Sequence, residues 1–183
     1  SDMAYVTNGM IGVDLTAVTP ALLNGAASTT DGVGAKYTLG TRVAGDNNSE
    51  YIYVQAGEAI STTTKEPYAL AVDENFQAKK ITKALAISGH IIAVAPRQII
   101  ADNAYFWACT RGTNIPLRVA ASCAADVNLW TTATAGRLDD TSGASHRVVL
   151  GIKIVLAASA STSAAQTIRN AIITNTLVPE LIA

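Results

Sequence analysis

Charge is scarce in this 183-residue chain: Asp, Glu, Lys and Arg together make up 15% of it, against roughly 25% in an average globular protein. The few charges nearly cancel, 13 basic against 14 acidic, for a formal net charge of −1. A nucleic-acid binder needs a basic track that displaces counterions from phosphates. The densest basic group here, Lys79, Lys80 and Lys83, stands alone and reads as one solvated strand face, so no nucleic-acid partner is expected. Long apolar runs are also missing. The longest lightly charged stretch, 154–166, is rich in Ala and Ser and falls short of the roughly 20 residues that span a bilayer. No basic region followed by an apolar core stands at the N-terminus, so neither a membrane span nor a signal peptide is expected.

Cysteine and histidine are as sparse, with two of each. Cys109 and Cys123 sit in apolar, strand-like surroundings and belong to no CxxC pair. They read as buried free thiols, although spacing alone leaves a disulfide between them open. A Ser or Cys triad needs a His base, and only His90 and His146 are on offer. Neither lies near a Gly-x-Ser-x-Gly elbow, and both read as solvated loop histidines. Two histidines 56 positions apart give no metal-ligand template. Asp139-Asp140 is the most concentrated acidic pair. In a strand, adjacent side chains point to opposite faces and would not form a carboxylate dyad. In a loop they remain available to a cation, but the preferred reading is an Asx-type turn in which Asp139 accepts backbone hydrogen bonds.

Phosphate and sugar motifs fail in turn. Gly32-Val33-Gly34-Ala35-Lys36 is glycine-rich but lacks the Walker spacing and the following Ser or Thr. Asn47-Asn48-Ser49 fits the glycosylation sequon, without a secretory signal to give it meaning. Trp107 and Trp130 lie inside strand patterns and read as core or subunit interface. No catalytic residue, cofactor site or metal site is therefore assigned, and the chain is read as a non-enzyme.

What the sequence has in quantity is apolar and small polar residues, 49% of it hydrophobic. A neutral surface of Ala, Thr, Ser, Asn and Gly is cheap to desolvate, which suits contact with other subunits. The length fits one domain, able to bury roughly 70% of its unfolded surface without a disulfide or metal. Residues 1–35 lack apolar periodicity and are read as an extended N-terminal arm or loop; 36–183 form the core domain. There, short apolar runs recur at 37–43, 51–55, 68–72, 76–81, 91–95, 105–110, 115–120, 127–132, 147–156 and 167–174. In Tyr51-Ile52-Tyr53-Val54 aromatic and β-branched residues alternate between faces, while the run from Val148 to Val155 is nearly continuous, as in a strand buried on both sides. The separators are turn chemistry: Gly45-Asp46-Asn47-Asn48, Asp73-Glu74-Asn75, Gly89-His90, Arg111-Gly112-Thr113-Asn114 and Asp139-Asp140-Thr141-Ser142-Gly143. Residues 78–86 and 163–173 are the best helix candidates, but strand spacing prevails in both. The pattern predicts an all-β, single-domain antiparallel sandwich or barrel, jelly-roll-like, with an extended N-terminal arm.

Two stretches carry a more specific likeness. One is Glu50-Tyr51-Ile52-Tyr53-Val54-Gln55-Ala56-Gly57-Glu58-Ala59-Ile60. The other runs from Tyr105-Phe106-Trp107-Ala108 through Gly112 and Val119-Ala120-Ala121-Ser122-Cys123-Ala124-Ala125-Asp126-Val127 to Leu129-Trp130-Thr131-Thr132-Ala133-Thr134-Ala135-Gly136-Arg137-Leu138-Asp139-Asp140-Thr141-Ser142. In order and content they resemble the capsid decoration, or cement, proteins of tailed bacteriophages, over roughly half the chain. Trp130 stands where Tyr is commoner, and Phe106 where Gly is common before the Trp; the arm is not closely matched. The resemblance implies a homotrimer made in the host cytoplasm that binds the outer capsid surface and bridges major capsid protein subunits. Alternatives from the residues alone are another virion component, such as a tail or head-completion subunit, or a carbohydrate-binding β-module, which would need Tyr51, Tyr53 or Trp130 exposed. A hydrolase with an unrecognised site would depend on His90 or His146.

Overall fold

The computed structural model describes residues 13–20, 34–46, 48–86, 90–159 and 167–177. They form ten strands, and no helix occurs among the described residues: β1 (Arg42–Ala44), β2 (Glu50–Ala56), β3 (Ala69–Val72), β4 (Gln77–Lys80), β5 (Ile91–Val94), β6 (Tyr105–Arg118), β7 (Leu129–Thr131), β8 (Leu138–Asp139), β9 (Val148–Ile154) and β10 (Ile168–Leu177). The all-β expectation holds, and of the two architectures the barrel is the one formed. Strands pair in the order β1-β2-β4-β3-β5-β6-β10-β9-β7-β8, and an additional β2–β6 pairing closes β2, β4, β3, β5 and β6 into a five-stranded barrel. One correction to a purely antiparallel sheet follows from arithmetic. Strand direction cannot alternate all the way round a closed ring with an odd number of members. The conflict falls on β2 and β4, which pair in parallel through Gln55↔Gln77 and Ala56↔Ala78.

Three apolar clusters divide the structure. Inside the barrel lie Ile52, Val54, Leu70, Val72 and Phe106, with Ala56, Ala78, Ala93, Ala95, Ala104 and Ala108. A five-stranded ring encloses little space, and alanine at so many inward positions lets its walls approach while Phe106 and the branched residues fill the axis. The alternate residues of the same strands point outward. On one side Ala69, Ala71, Ile92, Val94 and Cys109 pack against a second sheet through Leu117, Leu129, Leu138, Val149, Ile152, Ile154, Ala171 and Ile173. On another side Val43, Tyr53 and Trp107 are covered by Val13, Leu15, Tyr37 and Leu39. β3 and β5 are thus buried on both faces, which explains their unbroken apolar sequences.

Strand β6 is longer than the sequence pattern indicated. The Arg111–Asn114 stretch reads as a turn between two strands, yet the strand runs through it. Gly112 (φ +153°) and Asn114 (φ +58°) adopt the backbone conformations that give the segment its turn-like composition. They build a β-bulge, where the register against β10 shifts between Ile173↔Gly112 and Ala171↔Ile115. The bulge bends β6 from the barrel, where it pairs with β2, into the second sheet, where it pairs with β10. The short strand β8 has no counterpart in the expected set; at two residues it is too short to show a period.

Only part of the expected 1–35 arm is described. Residues 13–20 lie along the barrel of their own chain. Thr19 exchanges backbone hydrogen bonds with Tyr105 in both directions, at 2.8 and 2.7 Å, and Leu15 and Val18 pack onto the apolar clusters. Beneath them Tyr53 and Trp107 stack with Tyr37 and Tyr105, with centroid separations of 4.9 to 6.2 Å, and the Tyr53 hydroxyl accepts the Lys36 N–H at 3.1 Å.

One charged pair is buried at the join between barrel and second sheet. Arg118 Nη1 lies 2.9 Å from Glu66 Oε1, with side-chain exposures of 2% and 9%, and the Arg118 N–H donates to the Pro67 carbonyl. Burial, with Arg137 nearby, lowers the Arg118 pKa from its ordinary value. Removing one member leaves the other charge stranded, which costs about 3–5 kcal/mol, whereas replacing both by apolar residues of similar size is often neutral. Glu66→Ala is therefore expected to destabilise the fold by about 3–5 kcal/mol in urea unfolding. The double variant Glu66→Leu/Arg118→Met is expected to recover most of that loss.

Candidate functional site

Among the described residues, one group of three potential metal-ligating side chains converges: Cys123, Asp139 and Asp140, whose ligand atoms all lie within 4.8 Å of one another. Of the two cases weighed for the acidic pair, strand or loop, the structure has the loop from Asp140 onward. β8 ends at Asp139, so strand alternation stops there, and Asp140 turns back toward the 120–126 loop. Asp140 Oδ2 accepts the Ala124 N–H at 3.0 Å. Asp139 Oδ1 does accept a backbone hydrogen bond, from the N–H of Asp140 at 2.9 Å. Burial pushes the Asp139 carboxyl above the usual range, and the neighbouring Asp140 adds to the shift. For Asp140 burial acts in the same raising sense but is outweighed by the Ala124 N–H and the Asp139 carboxyl, which hold it below the usual range.

The third member argues for structure over chemistry. Cys123 is fully buried, and burial, reinforced by Asp140 and Asp139, pushes its thiol up to about 12. Metal ligation and nucleophilic attack both need the thiolate. Cys109 is alike, buried and pushed up to about 12 by desolvation. Both cysteines are free thiols. His146 is half-buried, not a freely solvated loop residue. Its ring lies against Gly143, where an added Cβ would come within 2.8 Å of it, and its charge acts on Asp139. His90, also half-buried, stands at the start of β5.

The other singled-out residues do not converge. Trp107 is 1% exposed, while Trp130 is half-buried on β7 opposite Asp139. Tyr53 is buried and Tyr51 half-buried. Lys80 Nζ stands 5.7 Å over the Tyr68 ring, which itself presses on Gly136 (φ +75°), where a Cβ would meet the ring at 2.5 Å. Residues 32 and 33 of the glycine-rich stretch, and Asn47 of the sequon, lie outside the described residues.

A surface feature that periodicity did not single out is the outer face of β9 and β10. Their inward residues Val149, Ile152, Ile154, Ala171 and Ile173 fill the core. The opposite face carries Leu150, Val155 and Ile172, with Leu156 and Val127 at its margin. Among the described residues these five account for all but Ile99 of the exposed large apolar side chains, at 37% to 70% exposure. Gly151 (φ +84°) interrupts the strand, and beside it a groove of about 190 Å³ is lined by Lys153, Val155, Ile172, Thr174, Asp126 and Asn128, among others. The near-continuous run from Val148 to Val155 hid this face, because a strand buried on both sides and one with a partly apolar open face read alike.

No protein-family model, curated protein or solved structure matches the chain.

Two outcomes check the corner around Cys123. Thiol reagents at pH 8 are expected to leave both cysteines unmodified in the folded protein and to modify both in denaturant, counted by mass spectrometry. The acid pair sets opposite pH trends. Asp140, lowered in the fold, contributes stability above its unfolded value near 3.8 that is lost as pH falls through its folded pKa. Asp139, raised in the fold, favours folding below that value, and its contribution is lost as pH rises through its folded pKa. Melting curves at pH 7 are thus expected to shift upward for Asp139→Asn and downward for Asp140→Asn, both differences shrinking below pH 4.

Proposed function

We propose that this chain is a structural virion protein that decorates the outer surface of a bacteriophage capsid, bridges major capsid protein subunits and associates with copies of itself as a trimer. The observation that carries an assembly role is the partly apolar outer face of β9 and β10, where Leu150, Val155, Leu156 and Ile172 are exposed together. Contiguous apolar surface of this kind marks interaction sites, and the low charge of the chain makes the surrounding surface inexpensive to desolvate. The choice of a phage capsid as the partner comes from the sequence likeness at 50–60 and 105–142. It gains support from one structural fact: the two matched segments are neighbours in space. β2 and the first half of β6 pair antiparallel through Tyr51↔Cys109, Tyr53↔Trp107 and Gln55↔Tyr105, so the first matched segment and the start of the second adjoin in the barrel wall. Many copies on a lattice gain by multivalency what each contact lacks in strength.

A non-enzymatic role accords with the state of the candidate chemistry, in which burial holds the converging thiol protonated. The carbohydrate-module alternative loses ground with Tyr53 buried in the aromatic cluster. A tail or head-completion subunit differs from a decoration protein in copy number.

The test is addition of purified protein to capsids that lack it. Saturable co-sedimentation is expected, with a copy number approaching that of the major capsid protein and added resistance of the particles to heat. Binding of only a handful of copies would move the protein to the neck or tail, and no binding would remove the capsid reading.

A further inference from the structure

The outer face of β9 and β10 carries its two charges in a pattern that identifies its occupant. Lys153 lies on β9 opposite Ile172 of β10, and Asp126 borders the same groove, held there by its N–H donating to the Ile154 carbonyl at 3.1 Å. Both side chains are exposed. Among the described residues neither forms an ion pair within the chain, the two pairs present being Arg42–Glu50 and Arg118–Glu66. Val155 and Ile172 line the same groove, and Leu150 is exposed next to Gly151 at its edge. A partner with one sign of charge would satisfy one of these groups and repel the other. A surface that itself bears one cation, one anion and an apolar surround satisfies both.

We propose that this face packs against its neighbours around the rotation axis of the trimer, Lys153 of one copy pairing with Asp126 of the next and Leu150, Val155 and Ile172 meeting between them. The proposal deepens the assembly reading above by naming the self-association surface, and it is independent of what the capsid contact is. Rotational symmetry multiplies such a contact, since a residue pair that forms once between neighbours forms again for every copy around the axis. Gly151 favours the close approach. It bears no side chain at the edge of the groove, and at φ +84° it kinks the strand so that Leu150 and Lys153 both face outward. Opposite charges at the margin of an apolar contact fix its register and reject mismatched partners.

The experiment is a charge swap on the full chain, free of capsids, read by light scattering and sedimentation over a range of concentrations. The unaltered chain is expected to form a defined oligomer. Lys153→Asp alone and Asp126→Lys alone are each expected to weaken association by about tenfold or more, and the double variant to restore most of it. Asp126 has φ +58°, a conformation that lysine tolerates less well, so melting curves of each variant separate loss of fold from loss of association. Leu150→Lys, at an exposed position, gives a second reading: dissociation with an unchanged melting curve at low concentration. A chain that is monomeric throughout, an oligomer indifferent to Leu150→Lys, or a double variant no better than the singles would each overturn the proposal. Capsid binding by a monomeric chain would overturn it while leaving the decoration reading intact. Oligomers without capsid binding would do the reverse.

Discussion

The long strand β6 is the constraint on which the rest of the structure depends. Its first half closes the barrel against β2 and its second half founds the outer sheet by pairing with β10, so two layers share one backbone. Shared membership leaves little freedom. The inward residues Phe106 and Ala108 must fit the barrel axis, while Cys109 and Leu117 face the layer between barrel and sheet. The bulge at Gly112–Asn114 reconciles the two demands by turning the strand. At Gly112 a Cβ would come within 3.0 Å of Ile115 and Ser49, so the bend is also a close approach that a larger residue would disturb. The buried Glu66–Arg118 pair sits at the far end of the same strand. It ties the segment leading into β3 to the end of β6, and a displaced partner would leave a charge in an apolar layer.

This arrangement also explains why so much of the fold was legible in the sequence. Period two is visible wherever the two faces of a strand meet chemically different neighbours. In β2 the tyrosines at 51 and 53 face the covering segments and Ile52 and Val54 face the barrel axis. Continuous apolar runs in β3 and β5 announce burial on both faces. What failed to show was geometry set by tertiary pairing. The composition Arg-Gly-Thr-Asn marks positive φ, but positive φ serves a turn and a bulge equally well. The parallel β2–β4 pair is a property of ring closure, which no local pattern encodes.

The candidate corner was legible only in part for a related reason. The preferred turn reading put a backbone hydrogen bond on Asp139, and one is there, where the strand ends. Beyond it the carboxylate of Asp140 is positioned by the Ala124 N–H, 16 residues earlier in the chain. No local rule anticipates that contact. The outcome is an acid pair beside a protonated thiol, an arrangement that secures the 120–126 loop to the end of β8 and leaves Cys123 inert. Chemistry-bearing residues have here been put to a structural purpose, in keeping with a chain that carries few of them.

The placement of exposed apolar surface follows from the same architecture. The barrel wall has outward-facing apolar residues on several sides, and the chain covers them with its own segments: the second sheet over β3 and β5, residues 13–20 and 34–43 over Tyr53 and Trp107. The second sheet has one face against the barrel and nothing of this chain among the described residues over the other. In a fold that covers apolar surface so consistently, Leu150, Val155 and Ile172 are the exception. Water is a poor long-term neighbour for such a face, and Lys153 beside Asp126 supplies both halves of an ion pair that no described residue of the chain closes. On the proposed reading neighbouring copies complete this surface, and the symmetry that relates them would join small, weakly charged domains into one multi-subunit assembly.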